Sequence, residues 1–221
     1  HMYVATLLGR ARVHGIYDSQ TQSMDVAEQN YKGYSDQPLV RYADLKSACS
    51  DPDADALMIC TPNHTHFDVL KVAMLFGKPV FLEKPMATTL EDAAAIVKAN
   101  ETYGSFIQIG LQYRYKAQYI EAFHEVRARA SIGVIKTISM SEYRPPFLDK
   151  VGQWNKFNEN SGGTLVEKCC HYFDLINLMA DSIPVRVYAS GGQAVNFLEF
   201  AKDGGPADID DHAFVIIDFA N

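Results

Sequence analysis

The sequence predicts an α/β protein in two parts: parallel βαβ units come first, and an α+β part with a mainly antiparallel or mixed sheet follows. Short apolar runs alternate with amphipathic segments through the first half, which is the pattern of βαβ units. This alternation stops after Tyr113, and we therefore place the boundary between residues 114 and 115. The hydrophobic fraction of 48% over 221 residues supplies enough apolar surface for a sizeable core.

Composition excludes several classes of protein. The chain has 20 basic and 27 acidic residues, a net charge of −7 that argues against a nucleic-acid partner or an anionic membrane. No apolar run approaches the roughly 18–20 residues that span a bilayer. The four cysteines form no C-x-x-C pair, so we expect reduced thiols in a cytoplasmic protein and no metal site.

Elements of the first part follow from periodicity and from their end signals. Phe67, Leu70, Ala73 and Met74 recur at helical spacing, and Gly77 supplies the stop. Thr89, with Asp92 three positions later, begins another helix. The spacing predicts helices over 2–8, 23–31, 66–76 and 89–103, and strands over 11–17, 55–60, 79–82 and 105–109.

The second part is less regular. A helix over 118–129 leads to a long strand over 134–143, and an irregular polar loop over 144–161 carries the only tryptophan, Trp154. One helix over 164–180 and strands over 185–189 and 213–218 complete the prediction. Because strands no longer alternate with helices, this part is predicted to hold an α+β domain.

Asp18 stands at the carboxyl end of a predicted strand in the βαβ pattern. In dinucleotide-binding folds an acidic residue there accepts hydrogen bonds from the ribose hydroxyls and repels a 2′-phosphate, which favours NAD over NADP. The glycine-rich loop that precedes such a residue by about 20 positions would fall before His1. Taken alone, an aspartate at this position is more often a residue that caps the next helix or closes a turn.

Two further strands end in polar segments. Thr61-Pro-Asn-His-Thr-His66 follows one of them, at the strand edge where open α/β sheets bind ligands. Its histidines are two residues apart at a helix start and do not share a face, so a capped turn is favoured over a metal site. Glu83-Lys84-Pro85 follows the next strand, and there Lys84 could stabilise a developing alkoxide, unless it forms only a solvated pair with Glu83.

Glu167, His171 and Asp174 are spaced at i, i+4 and i+7, which puts them on one face of the predicted helix. A histidine with a carboxylate one turn away is held in one orientation, and its imidazolium is stabilised. His171 is therefore a candidate general base, with a satisfied structural histidine as the alternative. Gly162 and Gly163, just before the helix, permit close approach of the backbone to a ligand.

Together these motifs resemble those of the Gfo/Idh/MocA oxidoreductases, which include glucose–fructose oxidoreductase and inositol dehydrogenase. The resemblance runs over essentially the whole chain, and the chain is similar above all to the inositol-dehydrogenase-like branch. The segments that carry the resemblance are Thr61-Pro-Asn-His-Thr-His66, Glu83-Lys84-Pro85, Gly110-Leu-Gln-Tyr-Arg-Tyr115 and the run from Gly162-Gly163 to His171-Tyr-Phe-Asp174. It implies an N-terminal Rossmann dinucleotide-binding domain over 1–114. It also implies a C-terminal α+β domain with an open-faced mixed β-sheet over 115–221.

The resemblance also implies NAD-dependent hydride transfer at a hydroxyl-bearing carbon of a sugar or cyclic polyol. Lys84 matches the family's active-site lysine, His171 its catalytic histidine, and Glu167 stands where the family has aspartate, which keeps the charge on a longer arm. His171 would take the hydroxyl proton, Lys84 would stabilise the alkoxide, and Glu167 would orient His171 or bind a neighbouring hydroxyl. Lys168-Cys169-Cys170 replaces a commoner Gln-Gly-small run, which is expected to alter the pocket wall.

The remaining expected contacts are assigned by motif position. Those to the cofactor NAD are Asp18, Thr61, Pro62, Asn63, His66, Glu83, Lys84, Pro85 and Gln112. Those to the substrate are Arg114, Trp154, Asn155 and Asp174, with Gln153 as a further candidate.

Family members are longer, so we expect a first strand with its glycine loop before His1 and more of the second sheet after Asn221. We expect a homodimer or homotetramer formed through the open sheet face. The alternative function is a non-catalytic dinucleotide- or sugar-binding relative that acts as a sensor or assembly subunit. A third possible function is that of a lyase or hydrolase that uses bound NAD for transient oxidation.

Overall fold

Helices alternate with short strands through the first half of the chain in the computed structural model, which describes residues 1–128, 131–203 and 205–221. The elements, in order, are α1 (Met2–Leu8), β1 (Gly15–Ile16), α2 (Thr21–Lys32), β2 (Val40–Arg41), α3 (Leu45–Ser50), β3 (Leu57–Ile59), α4 (His66–Met74), β4 (Val80–Leu82), α5 (Leu90–Asn100) and β5 (Ile107–Ile109). The predicted α/β alternation is confirmed, although the strands are shorter than predicted and β2 and α3 were not predicted.

The strands of this half form two parallel groups. β1 pairs with β2 in parallel, with Gly15 opposite Val40, and a second sheet has the order β3-β4-β5. The Val80 N–H donates to the Phe106 carbonyl at 3.0 Å, and the Gly110 N–H donates to the Leu82 carbonyl at 2.8 Å. These bonds advance in the same direction along both strands, as in a parallel pair.

Local signals explain where the helices begin and end. The Thr89 hydroxyl accepts a hydrogen bond from the Asp92 N–H at 3.1 Å, which is the predicted cap of α5. Gly77, with φ at 65°, turns the chain after α4 in the left-handed region that glycine favours. The apolar faces are buried: Leu70 and Ala73 of α4 are 0% and 1% exposed.

The second half contains α6 (Ala117–Ala128), α7 (Asn158–Ser161), α8 (Gly163–Glu167), α9 (Cys170–Ala180), β6 (Pro184–Gly192), β7 (Ala201–Lys202), β8 (Gly205–Pro206) and β9 (His212–Phe219). β6 and β9 pair antiparallel, with Val187 opposite Ile217. Arg129, where α6 was predicted to end, lies outside the described residues. None of the helices described is both long enough and apolar enough to cross a membrane.

Two predictions for this half are wrong. Residues 134–143 form no strand, because alternation alone does not make one: a strand needs a partner, and in the described residues β6 and β9 pair with each other. The single helix over 164–180 is divided between Glu167 and Cys170. In a continuous helix the Glu167 carbonyl would accept from the residue-171 N–H, but the Lys84 ammonium donates to it at 2.8 Å.

Contacts divide the chain into two compact units. The first consists of His1–Ile59, Asp68–Phe81 and Ala99–Gln108, and the second of Cys60–Phe67, Leu82–Lys98 and Ile109–Asn221. Asp18 therefore belongs to the first unit. All the other candidate residues of the sequence belong to the second unit.

Candidate active site

The segment after β4 positions Lys84. The Glu83 carboxylate accepts a hydrogen bond from the Lys84 N–H at 2.9 Å, and the Lys84–Pro85 peptide bond is cis. The Lys84 Nζ donates to the Glu167 carbonyl at 2.8 Å and lies 3.2 Å from Glu167 Oε1. The predicted lysine is thus held by both the backbone and the side chain of one residue of α8.

Glu167 is the centre of a buried polar cluster. Its side chain is only 4% exposed, and three donors from different parts of the second unit surround it. The Asn63 amide donates to Oε2 at 2.5 Å, and the Lys168 ammonium lies 3.0 Å from Oε1, the oxygen that also faces Lys84. A buried carboxylate with three such donors is satisfied as an anion.

The cluster keeps Glu167 ionised. Burial raises the pKa of Glu167, but the opposing effects of Lys84, Asn63 and Lys168 outweigh it and leave the pKa below its usual value. The pKa of Lys168 is lowered as well, because burial, together with repulsion from Lys84 and Arg144, outweighs the attraction to Glu167. Glu167 is therefore an anion at neutral pH.

His171 lies in the first turn of α9, with only 6% of the residue exposed. The Tyr113 ring stacks on its imidazole, with the centroids 4.1 Å apart and the planes 10° from parallel. The Lys116 Nζ lies 3.5 Å from the centroid of the same tyrosine ring. His171 Nδ1 is buried and has no hydrogen-bond partner within the described part of the chain.

The surroundings of His171 disfavour its charged form. Burial, followed by repulsion from Lys84, lowers the pKa of His171 to about 4, while Glu83 and Asp174 act in the opposite direction. The imidazole is therefore neutral at pH 7 and has a basic nitrogen that can accept a proton.

The predicted pairing of His171 with carboxylates on its own helix is wrong. Glu167 lies before the helix break and contacts Lys84, Lys168 and Asn63, while Asp174 binds Arg114. The Arg114 Nε donates to Asp174 Oδ2 at 2.7 Å, and a second guanidinium nitrogen contacts Oδ1. Cationic side chains from other elements compete for both carboxylates, because charge-assisted bonds to them are stronger than bonds to a neutral imidazole.

The Thr61–His66 segment is arranged around its last residue. His66 is fully buried, with Nδ1 2.8 Å from the Pro85 carbonyl and Nε2 3.0 Å from the Thr61 carbonyl. Burial lowers the pKa of His66, although the two carbonyls act against this. His66 thus connects the turn after β3 to the turn after β4, and its two nitrogens face carbonyls rather than a common ligand with His64.

The two glycines before α8 serve the turn. Gly162 and Gly163 have φ values of +78° and +77°. A Cβ on Gly163 would lie 2.3 Å from Asn158 Oδ1, and one on Gly162 would lie 2.7 Å from Val166 Cγ1. The glycine backbone was predicted to lie close to a ligand, but the atoms that lie close to it here are side-chain atoms of Asn158 and Val166.

Other predicted contact residues are spread more widely. Gln112 is exposed in the 3₁₀ turn Gln112–Tyr115, and Trp154 is half-buried in the turn Val151–Lys156. Asn155 is buried, and its amide donates to the Leu148 carbonyl at 3.0 Å, whereas its Oδ1 has no partner within the described residues. In the first unit, exposed Asp18 follows β1 and accepts from the Gln20 N–H at 2.8 Å.

Sequence reasoning missed the roles of Tyr113, Lys116 and Lys168. In the sequence Tyr113 is one position of the Gly110–Tyr115 motif, and its stacking on His171 joins residues 58 positions apart. Lys168 stands out in the sequence only as a departure from a commoner motif. In the first unit, ligand atoms of His14, Asp51 and Asp53 lie within 4.8 Å of one another, but Tyr42 and the Asp53 N–H already donate to Asp51.

Parallel strand pairs in the first half and the antiparallel β6–β9 pair in the second are the architecture of a Rossmann-like domain followed by an α/β domain. The chain belongs to the Gfo/Idh/MocA oxidoreductase family. Residues 1–111 match its NAD-binding Rossmann-fold model, and residues 128–221 match its C-terminal alpha/beta domain.

Curated relatives include an uncharacterized oxidoreductase, YrbE, of Bacillus subtilis, which is 28% identical over 204 residues, 89% of this chain and 55% of that protein. Inositol 2-dehydrogenase of Paracoccus denitrificans is 32% identical over 52% of this chain and 33% of that protein. This chain therefore spans about half or less of these relatives. A levoglucosan dehydrogenase in complex with NADH and levoglucosan has the same fold, with a TM-score of 0.74 at 22% identity over 94% of this chain and 55% of that one.

Proposed function

We propose that the protein is an NAD-dependent dehydrogenase that moves a hydride between nicotinamide and a hydroxyl-bearing carbon of a sugar or cyclic polyol. The observation that carries this proposal is buried His171, whose Nδ1 has no partner among the described residues. An unpaired buried polar atom costs about 1–3 kcal/mol, which a hydrogen bond to a substrate hydroxyl would recover. Family membership and the inositol 2-dehydrogenase among the relatives support the substrate class.

The cofactor supplies the hydride acceptor when it is bound. We propose that Asp18 holds the adenosine ribose, because its exposed carboxylate stands at the end of a parallel strand and retains acceptor capacity beyond the Gln20 N–H. The same negative charge would repel a 2′-phosphate, so NAD is preferred over NADP. In the second unit, the turns Thr61–His66 and Glu83–Pro85, with Gln112, are the proposed cofactor contacts.

In the proposed reaction the substrate C–H bond breaks and its electron pair leaves as hydride. His171 takes the hydroxyl proton, and the C=O bond forms. The Lys84 ammonium stabilises the negative charge that develops on the oxygen. Glu167 acts through Lys84 rather than through His171, because its carbonyl accepts a hydrogen bond from the lysine and its carboxylate lies 3.2 Å from the same ammonium. Burial and Lys84 lower the pKa of His171 to about 4, so the proton is readily released afterwards.

Lys84→Ala and His171→Ala in the intact protein test this mechanism. We expect each variant to lose about 10²- to 10⁴-fold in turnover, the usual contribution of a positioned acid–base or electrostatic group. NADH formation with inositols and aldoses is the measurement, and Lys98→Ala, on the exposed surface of α5, is the matched control. Unchanged turnover in both variants would refute the assignment, while NADH that is never released would indicate transient oxidation instead.

Cofactor choice is tested separately through Asp18. Isothermal titration should show tighter binding of NAD than of NADP, and Asp18→Ser should narrow that ratio by about tenfold or more, since it removes one charge and its hydrogen bonds. If the ratio of NAD affinity to NADP affinity were equal in the wild type and the variant, Asp18 would not be a cofactor contact.

We propose further that the protein forms a homodimer or homotetramer through the β6–β9 sheet. Tyr188 lies opposite Ile216 in the ladder, and Phe214 lies opposite Ser190 on the same face. On this face Tyr188 is 54% exposed, Ile216 is 65% exposed and Phe214 is 78% exposed. Large contiguous apolar surface favours association. Sedimentation should give a dimer or tetramer that Phe214→Glu dissociates, and a wild-type monomer would contradict this.

Two further proposals concern organisation and location. We propose domains over 1–114 and 115–221, and a cytoplasmic location that agrees with four cysteines free of disulfide bonds. Thiol titration after unfolding without reductant should find four thiols, and fewer would argue for an oxidising compartment.

A further inference from the structure

Lys168 occupies the break between α8 and α9, between the proposed positioning residue Glu167 and the proposed base His171. Its Nζ lies 3.0 Å from Glu167 Oε1 and 4.7 Å from the centroid of the Phe147 ring. The side chain is 20% exposed, so it is mostly sheltered but still reachable. Its ammonium is therefore held beside the proposed chemistry without being sealed off from a ligand.

Two ammonium groups share one carboxylate oxygen at this point. Lys84 and Lys168 share Oε1 of Glu167, at 3.2 and 3.0 Å, while Asn63 takes the other oxygen. An ammonium has three N–H donors, and in the described residues one carboxylate oxygen and one aromatic face engage that of Lys168. Arg144 also repels Lys168, but its guanidinium is itself paired with the Glu142 carboxylate at 3.5 Å.

We propose that Lys168 is a specificity-determining residue that binds a carboxylate of the substrate, so that the preferred substrates are acidic sugars or polyols such as hexuronates. This inference rests on the proposed function. A carboxylate suits the site because it would add one negative charge beside two ammonium groups that share a single carboxylate oxygen, Glu167 Oε1. A phosphoryl group, with two charges and three acceptor oxygens, favours several donors or an arginine fork.

The surroundings strengthen such a contact. Phe147 covers part of the ammonium, and the sheltered position keeps the local dielectric low, so a charge-assisted bond is stronger there than on the open surface. Because Lys168 and Lys84 contact the same oxygen of Glu167, a carboxylate bound to Lys168 would lie close to the ammonium that is proposed to stabilise the alkoxide.

The test compares glucuronate with glucose and galacturonate with galactose, pairs that differ only at C6, where a carboxylate replaces the hydroxymethyl group. Their kcat/KM ratios are measured for the wild type, Lys168→Gln, Lys168→Arg and the exposed control Lys98→Gln. We expect the acid-to-neutral ratio to fall by about 10- to 100-fold in Lys168→Gln. It should be largely retained in Lys168→Arg and unchanged in Lys98→Gln.

A second readout is the rise in melting temperature with each sugar in the absence of NAD. A rise with a hexuronate that Lys168→Gln abolishes would support the inference even if no NADH forms, in which case only the proposed function fails. NADH formation with ratios equal in the wild type and Lys168→Gln would overturn the inference and leave the function intact. A preference for glucose 6-phosphate over glucuronate that depends on Lys168 would also overturn it.

Discussion

Acidification should destabilise the protein through His171. Burial and Lys84 hold the pKa of this imidazole at about 4, against 6.5 for an exposed histidine. Between these values the unfolded chain binds a proton that the folded protein excludes, so the free energy of unfolding falls as the pH falls. The contribution is fully present above the unfolded value and is lost on acidification toward the folded value.

The gap between about 4 and 6.5 corresponds to a loss of about 3 kcal/mol between pH 7 and pH 4. Carboxylates titrate over the same range, so the measurement is a difference between the wild type and His171→Gln, whose amide does not titrate. Urea unfolding at both pH values should show the wild type losing about 3 kcal/mol more than the variant. The reasoning would be refuted if the difference in unfolding free energy between the wild type and His171→Gln changed by less than about 1 kcal/mol between pH 7 and pH 4. An NMR titration that gave His171 a pKa near 6.5 would refute it as well.

Further predictions concern the cluster and its turn. Glu167→Gln should lower the free energy of unfolding by about 3–5 kcal/mol, because it removes a buried carboxylate that two mostly sheltered ammonium groups share. Adding Lys168→Met should recover part of that loss in urea unfolding, and a loss below about 1 kcal/mol would contradict the described burial. Gly163→Ala should cost about 2–4 kcal/mol, since both φ at +77° and Asn158 Oδ1 at 2.3 Å oppose a Cβ. Gly77 also has a left-handed backbone, but a Cβ added there would meet no atom within 4 Å, so Gly77→Ala should lower the free energy of unfolding by only about 1 kcal/mol. Equal losses in the two variants would contradict the steric role of Asn158.

Elements that depend on neighbouring residues could be predicted well. The Thr89 cap and the Gly77 stop bound their helices as predicted, because both act within one turn of the chain. The strand predicted over 134–143 shows the opposite case. Its alternation is local, but a strand exists only through a ladder with distant residues, and periodicity does not identify that partner.

In the candidate site, too, some features could be predicted from the sequence and others could not. Lys84, Glu167 and His171 could be selected from their types and from the motifs around them, but their partners could not. Asn63 and Lys84 reach Glu167 from 104 and 83 residues away. The second of these contacts uses the carbonyl that would have continued the helix, so the predicted common face of Glu167 and His171 is not formed.

Composition, periodicity and motifs were enough to establish an α/β chain, its family resemblance and the residue types at its proposed active site. These properties depend on the backbone preferences and spacing of adjacent residues. Tertiary structure alone decided that Glu167 serves Lys84, that Tyr113 stacks on His171, and that Lys168 shares a carboxylate with Lys84. The physical reason is that buried charges and rings take the strongest partner available in space, and sequence spacing does not record which partner that is.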